Sequence, residues 1–351
     1  MKKRISELNK YITDEYLKKI NTILLNHYNI TPTSVEKVRS AFKVNTERSI
    51  YCLKEFKHND KKASIGYHLT RFLKDNGFDG VADYIKTVDG KDVIKYNKKY
   101  YYLTSWIEGS ECDFKDINVL KQACAFLADF HNKSKGFHIN SFKIKSNYNK
   151  WEKKVLSIKK DLLKFKSIIA SKILKTYFDE EYYKLIDFNL KLCDKALQIF
   201  SKESYKRLCE KAKNERLICH DSFYYQNLLI NNNGKMFLID LDSVIYDLPI
   251  YDLAKFIRRI MNKSYIEWNF NIAKDLIFAY DEIRKIERDE FEIFLGHLII
   301  PHRFWKLGKK RYLKRKEWSE EKYLKKLNKE IRLKDKREEF INKFIENYLI
   351  K

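Results

Sequence analysis

Apolar residues recur at helical spacing through Ile5, Leu8, Ile12, Leu17, Ile20, Ile23 and Leu24, and Thr31-Pro32-Thr33 then breaks the pattern, predicting a helix over residues 5–29. From Val35 to Phe56 the text turns strand-like: Val35-Glu36-Lys37-Val38, Phe42-Lys43-Val44 and Ile50-Tyr51-Cys52-Leu53, with a turn at Asn45-Thr46-Glu47-Arg48. Residues 62–75 read as a helix that stops at Asn76-Gly77, and two further strands are expected near Val93–Tyr96 and Tyr100–Trp106. After Glu108-Gly109 the character changes. Leu120, Ala123, Cys124, Leu127 and Phe130 form one helical stripe, and long helical stretches cover about 150–215, 270–300 and 320–350. One β island interrupts them, Leu228–Ile230 and Met236–Ile239 around Asn231-Asn232-Asn233-Gly234, where Asn-Gly is a strong hairpin signal. The chain thus divides into an N-terminal helical extension (1–33), a small β-rich lobe (34–108) and a large helical lobe (109–351) that carries the hairpin.

Composition narrows the class without naming a partner. With 351 residues, 44% hydrophobic and 15% aromatic, the chain can bury two cores, and only 9 Gly and 3 Pro argue against long linkers. The net charge of +24 favours polyanions, but richness in Lys, Asn, Ile and Tyr throughout also fits an AT-rich coding bias. The six cysteines are scattered with no C-x-x-C pair, so reduced, mostly buried thiols are expected. Met1-Lys2-Lys3-Arg4 leads into no apolar run, and nothing approaches about 18 apolar residues, so neither a signal peptide nor membrane insertion is expected. The acid-free run at residues 306–316, including Lys306, Lys309, Lys310, Arg311, Lys314 and Lys316, is a candidate face for an anionic polymer; nucleic acid is not the favoured form of it.

The chemistry gathers around the hairpin. His220-Asp221-Ser222-Phe223-Tyr224-Tyr225-Gln226-Asn227 precedes it and Asp240-Leu241-Asp242 follows. An amide and a carboxylate converging from opposite ends of a short hairpin is the arrangement that holds Mg²⁺ on nucleotide phosphates, and Asn227 and Asp240 have the right types and order. Asp242 is a candidate second metal ligand or a cap of the turn. Asp247-Leu248-Pro249-Ile250-Tyr251-Asp252 reads as a turn entering a helix, with Asp252 as its cap or as a brace for the loop. His131, at the end of a helical stripe, reads as packed core.

His-x-Asp-x-x-x-x-Asn spacing, a hairpin, Ile-Asp and Asp-x-Pro-x-x-Asp-Leu-Ala together resemble the core of the aminoglycoside phosphotransferase/choline kinase superfamily. Within it, Lys37–Val44, Tyr51–Lys54, Trp106–Gly109, Phe130–Phe137, Lys150-Trp151 and Pro301–Lys306 resemble the CotS spore-coat family, in order from about residue 35 to 340. The resemblance implies a bilobal α+β protein-kinase-like fold with a small β-rich N-lobe and a large helical C-lobe. Carried over, Lys54 becomes the small-lobe lysine that meets the phosphates, and Trp106 to Gly109, Glu108 included, the hinge around the adenine. Asn227 and Asp240 become metal ligands, and His220 the scaffold histidine of the catalytic loop. ATP with Mg²⁺ is the implied cofactor pair, other spore-coat proteins the implied partners, and the mother-cell cytoplasm followed by the coat the implied location.

Three departures from the family pattern matter. Family spacing puts Ser222 at the catalytic-aspartate position and Asp221 one place early. A hydroxyl of very high pKa is no general base, and losing one costs ~10²–10⁴-fold in rate. The helix at 62–75 has no Glu to pair with Lys54, which predicts a loosely held lysine, with Tyr67 and His68 near the expected place. No Gly-rich phosphate loop exists; Arg39-Ser40-Ala41 offers only the Ser40 hydroxyl and backbone N–H groups. Three readings stay open: a coat scaffold with a degenerate catalytic loop, an active small-molecule or glycan phosphotransferase with Asp221 as base, or a binding module for an acidic polymer through residues 306–316.

Overall fold

A computed structural model describes residues 13–56 and 60–350. In chain order come α1 (Asp14–Tyr28), β1 (Ser34–Val38), β2 (Ala41–Asn45), β3 (Ile50–Phe56), α2 (Asp60–Asp75), β4 (Tyr84–Ile85), β5 (Ile94–Tyr96), β6 (Lys99–Ser105) and β7 (Ser110–Glu111). Helices α3 (Ile117–Lys133), α4 (Trp151–Ala170), α5 (Tyr177–Phe200) and α6 (Glu203–Asn214) precede four short strands, β8 (Ile218–Cys219), β9 (Leu228–Ile230), β10 (Met236–Leu238) and β11 (Ile245–Tyr246). The last helices are α7 (Pro249–Met261), α8 (Phe270–Asp281), α9 (Arg288–Ile299), α10 (His302–Gly308), α11 (Glu320–Arg332) and α12 (Lys334–Tyr348).

These elements form two compact units. The first takes its residues from Met1–Asp113, Phe137–Ile144 and His220–Val244, and the second takes the remainder. The division by sequence placed the hairpin with the helices, whereas contacts place it with the sheet. Leu238 N–H bonds Gly80 O at 2.8 Å, Cys112 N–H bonds Leu228 O at 3.2 Å, and β7 pairs with β9. Such short strands carry no periodicity of their own, so their allegiance is set by these long-range bonds.

In the first unit the antiparallel sheet runs β1-β2-β3-β6-β4, with β5 also on β6. Alternation assigns its faces. Phe42, Val44, Leu53, Tyr101 and Leu103 point one way and meet Ile20, Ile23 and Leu24 of α1 in a single core. Each such side chain contributes roughly 1.5–3 kcal/mol of burial. Thr13 caps α1 and Asn29 ends it in the left-handed conformation. The expected helix over 5–29 is therefore present from Asp14; residues 5–12 lie outside the described residues. Glu55 shares the α1 face. Burial alone would raise its carboxyl, but hydrogen bonds from Lys99, Tyr16 and Tyr101 and the Lys19 ammonium hold it down to about 2. Lys54, one residue earlier, points to the opposite face, which turns toward α2 and the 3₁₀ turn Leu241–Ser243.

The second unit is helical, with β8 and β11 paired within it. α5 opens with a capping box between Thr176 and Asp179, and Asp179 also accepts from Lys172 at 2.7 Å and Tyr312 at 3.0 Å. Tyr182 stacks flat on Phe304, with ring centroids 4.0 Å apart. α7 corrects one expectation: it starts with Pro249 at its first position behind Leu248, so Asp252 lies inside the first turn and is no N-cap. Asp252 is buried 3.6 Å from His131 Nε2, and His131 Nδ1 meets the Tyr280 hydroxyl at 2.7 Å, so His131 is core as expected. Among the described residues all six cysteines are free, five of them buried.

Asp247, just before α7, is fully buried and accepts from Trp151 Nε1 and Leu248 N–H, both at 2.9 Å. Burial outweighs these bonds and pushes its carboxyl from 3.8 up to about 6. The native chain thus keeps a proton that the unfolded chain releases from about pH 4, and stability falls as pH rises through about 4 to 6, by ~3 kcal/mol in all. Asp247→Asn cannot titrate. Its stability relative to wild type is expected to rise by ~2 kcal/mol between pH 4.5 and 7.5 in urea denaturation, and an unchanged difference contradicts the assignment.

Candidate active site

The hairpin β9–β10 brings the ends of two loops together. Asn227 closes the 3₁₀ turn Tyr225–Asn227 before β9, Asp240 follows β10, and the ladder ends where Ile239 N–H bonds Asn227 O at 3.0 Å. Both residues therefore leave the hairpin at one end. Asp240 takes the left-handed conformation, φ 66 and ψ 47, which Asp tolerates better than most residues, and this starts the turn that carries Asp242.

Lys54 reaches this turn from β3. Its ammonium pairs with Asp240 Oδ1 and lies 3.4 Å from Asp242 Oδ2. The loosely held lysine expected from α2 is corrected: with no Glu on α2, the partners come instead from the turn after the hairpin. Burial works against the charge on Lys54, but the two carboxylates outweigh it and raise the pKa above its ordinary value. Burial, with Asp240 adding to it, raises the Asp242 carboxyl, and Lys54 opposes the shift.

Tyr102, the cross-strand neighbour of Lys54, stacks with Tyr84 at 5.0 Å, and its ring lies 5.8 Å from the ammonium. Burial keeps both phenols neutral, far above their ordinary value. Gly66 lets α2 approach Tyr84 closely, since a Cβ there would run into the Tyr84 hydroxyl. Of the two α2 residues singled out, Tyr67 packs edge-on against Tyr84 at 5.8 Å and His68 is exposed.

The loop before the hairpin is locked in register. His220 is buried, its Nε2 donates to Ile239 O at 3.1 Å, and its Nδ1 accepts from Ser222 N–H at 3.3 Å. These two bonds define the neutral Nε2–H tautomer. The Asn227 amide donates to Ser222 O at 3.0 Å, which commits its NH₂ end and leaves Oδ1 as the atom suited to a cation. Ser222 is thereby held at both its N–H and its C=O. Asp221 beside it sits in the left-handed region at φ 60.

Ser40 adjoins Ala41, the cross-strand partner of Lys54. Ser40 is exposed in the β1–β2 turn, whose Arg39 pairs with Glu111. Trp106 donates its backbone N–H to Ile50 O at 2.9 Å and, with Glu108, lines a pocket of about 460 Å³ together with Asp79, Asp83, Ser105 and Phe237. Lys54, Asn227 and Asp240 are not among the residues lining it. Gly109 allows the segment after Trp106 to approach the hairpin, because a Cβ there would strike the backbone of Ile230.

Chemically the group offers oxygen donors only, the Asn227 carbonyl and two carboxylates, which suits a hard cation such as Mg²⁺. One ammonium facing two carboxylates leaves one negative charge for such an ion to balance.

A small antiparallel sheet, a helical C-terminal region and this constellation define the aminoglycoside phosphotransferase/choline kinase fold. An aminoglycoside phosphotransferase from Alicyclobacillus acidocaldarius matches with a TM-score of 0.83 at 18% identity, covering 92% of this chain and 95% of that one. Spectinomycin phosphotransferase, solved with ADP and spectinomycin, matches at 0.58 and 14%, covering 92% and 98%. Residues 21–344 match the family described as spore coat putative kinase YutH, and the chain belongs to that family. Spore coat protein S of Bacillus subtilis strain 168 is 26% identical over 341 residues, 95% of this chain and 96% of that protein. The CotS-family resemblance and the fold class read from the sequence are both borne out. No helix among the described residues is long and apolar enough to cross a membrane.

Proposed function

We propose that this chain is a spore-coat assembly protein that binds ATP with Mg²⁺ at the Lys54–Asn227–Asp240 group and transfers phosphate slowly at best. The observation that carries this reading is the double anchoring of Ser222, through its N–H to His220 Nδ1 and its C=O to the Asn227 amide. The register is thereby closed. By family spacing Ser222, a hydroxyl, stands where a carboxylate would take the acceptor's proton, and shifting Asp221 into that position would break both bonds.

Asn227 and Asp240 would hold the ion, with Asp242 as a further oxygen ligand. Bound there, Mg²⁺ supplies charge neutralisation between nucleotide phosphates. Lys54, kept protonated by its two carboxylates, supplies a fixed positive charge for the phosphates. These are binding and positioning functions, and they survive the loss of a general base. In this reading the protein is made in the mother cell and joins the coat through other coat proteins, with nucleotide as a structural or sensing ligand.

Purified protein given ATP and Mg²⁺ is expected to turn over far below the roughly 1–100 s⁻¹ of ordinary kinases. Turnover in that range on an identified acceptor contradicts the scaffold reading and favours the active phosphotransferase.

A further inference from the structure

The acid-free run at 306–316 does not form one face. Lys309 lies over the Trp305 ring at 4.7 Å, Arg311 pairs with Glu320 at 2.7 Å, and Tyr312 is buried against Asp179. The charge without an ion-pair partner lies on the next helix. α11 buries Tyr323 and Leu327 and turns Lys322, Lys325, Lys326, Lys329 and Arg332 outward, at the i, i+3, i+4, i+7 and i+10 spacing of a single face.

With Arg303 of α10 these residues line an open groove of about 730 Å³, and its one lining residue without positive charge is Asn328. Arg303 is held by Glu330 at 3.1 Å, and Arg332 pairs with Glu267. The four lysines have no ion-pair partner among the described residues. Burial and neighbouring cations lower Lys329, with Arg303 and Arg332 acting on it, and they lower Lys310 on the flank, with Lys316 and Lys326 acting there. The groove is thus a set of like charges held together by the fold, and an anion relieves their repulsion.

We propose that this groove docks an acidic polypeptide segment of a partner protein. The exposed row spans about 15 Å along α11, the length of four or five residues of an extended chain. Its cations without an ion pair are all lysines, point charges on flexible stems that suit carboxylates scattered along a peptide. The two guanidinium groups, the ones best matched to phosphate, are each already paired with a carboxylate, Arg303 with Glu330 and Arg332 with Glu267. The aromatic ring nearest the row is equally committed. Trp318 is ringed by Lys310 at 4.5 Å, Lys322 at 4.9 Å, Lys326 at 5.5 Å and Lys316 at 5.6 Å, which leaves no clear face for stacking a base. The inference does not depend on nucleotide binding.

The test is fluorescence anisotropy of a labelled ten-residue glutamate peptide with the full chain. Triple substitution of Lys325, Lys326 and Lys329 to Gln is expected to weaken binding about tenfold or more, whereas Gln at Lys153, Lys160 and Lys164, exposed on α4, changes it less than about twofold. Equal losses in the two triple variants would reduce the groove to diffuse net charge and overturn the proposal. Failure of wild type to bind the peptide overturns it as well. A single-stranded oligothymidine that binds more tightly than the peptide, and is lost with the groove lysines, would hand the site to nucleic acid.

Discussion

Ser222→Asp is expected to raise phosphate release from ATP by about 10²–10⁴-fold, and Ser222→Ala to leave it unchanged. His220 and Asn227 grip the backbone of residue 222 and not its side chain, so a carboxylate installed there inherits the geometry without moving the loop. The gain corresponds to roughly 3–5 kcal/mol of barrier. Steady-state phosphate release with ATP and Mg²⁺ measures it. If Asp221→Asn abolishes the residual rate while Ser222→Asp adds nothing, the base is Asp221 and the chain is an active enzyme.

Asp240→Ala is expected to remove the Mg²⁺-dependent part of ATP binding. Asp240 is the carboxylate closest to Lys54 and the one that follows the hairpin directly, so its loss takes away the proposed metal ligand and leaves Asp242, 3.4 Å away, as the lysine's partner. Asp242 keeps a carboxylate beside the Lys54 ammonium, so the buried charge is not left unpaired and the variant should still fold. Calorimetric titration with ATP, with and without Mg²⁺, reads the effect. Wild type should bind much more tightly with the ion, and the variant should show little difference. A variant with full Mg²⁺ dependence places the ion elsewhere.

Much of this was legible in the sequence because it rests on local pattern. The alternation through Phe42, Val44 and Leu53 located the sheet, and the Asn-Gly hairpin located the candidate site, with Asn227 before it and Asp240 after it. The strands β4, β7, β8 and β11 were not legible, since two residues each are too few to show a period. The partner of Lys54 was hidden for another reason. Asp240 lies 186 positions away, and no local rule links a helix lacking Glu to a turn that replaces it. Tyr102 follows from strand register once β3 and β6 are paired, whereas Tyr84 follows from nothing local. The basic run misled because linear charge is not a surface. The backbone between α10 and α11 turns Arg311 and Tyr312 inward and leaves the lysines of α11 outside. The helix at Pro249 starts without a capping side chain, which drew the cap assignment onto Asp252.

The most direct test of the nucleotide site is thermal denaturation of the wild-type chain titrated with ATP and Mg²⁺. A ligand that binds only the native state stabilises it by about 2.7 kcal/mol at a hundredfold excess over its dissociation constant. A saturable upward shift that needs Mg²⁺ is the predicted result. A melting temperature that stays flat across the titration would contradict it and leave Lys54, Asn227 and Asp240 as structural residues alone.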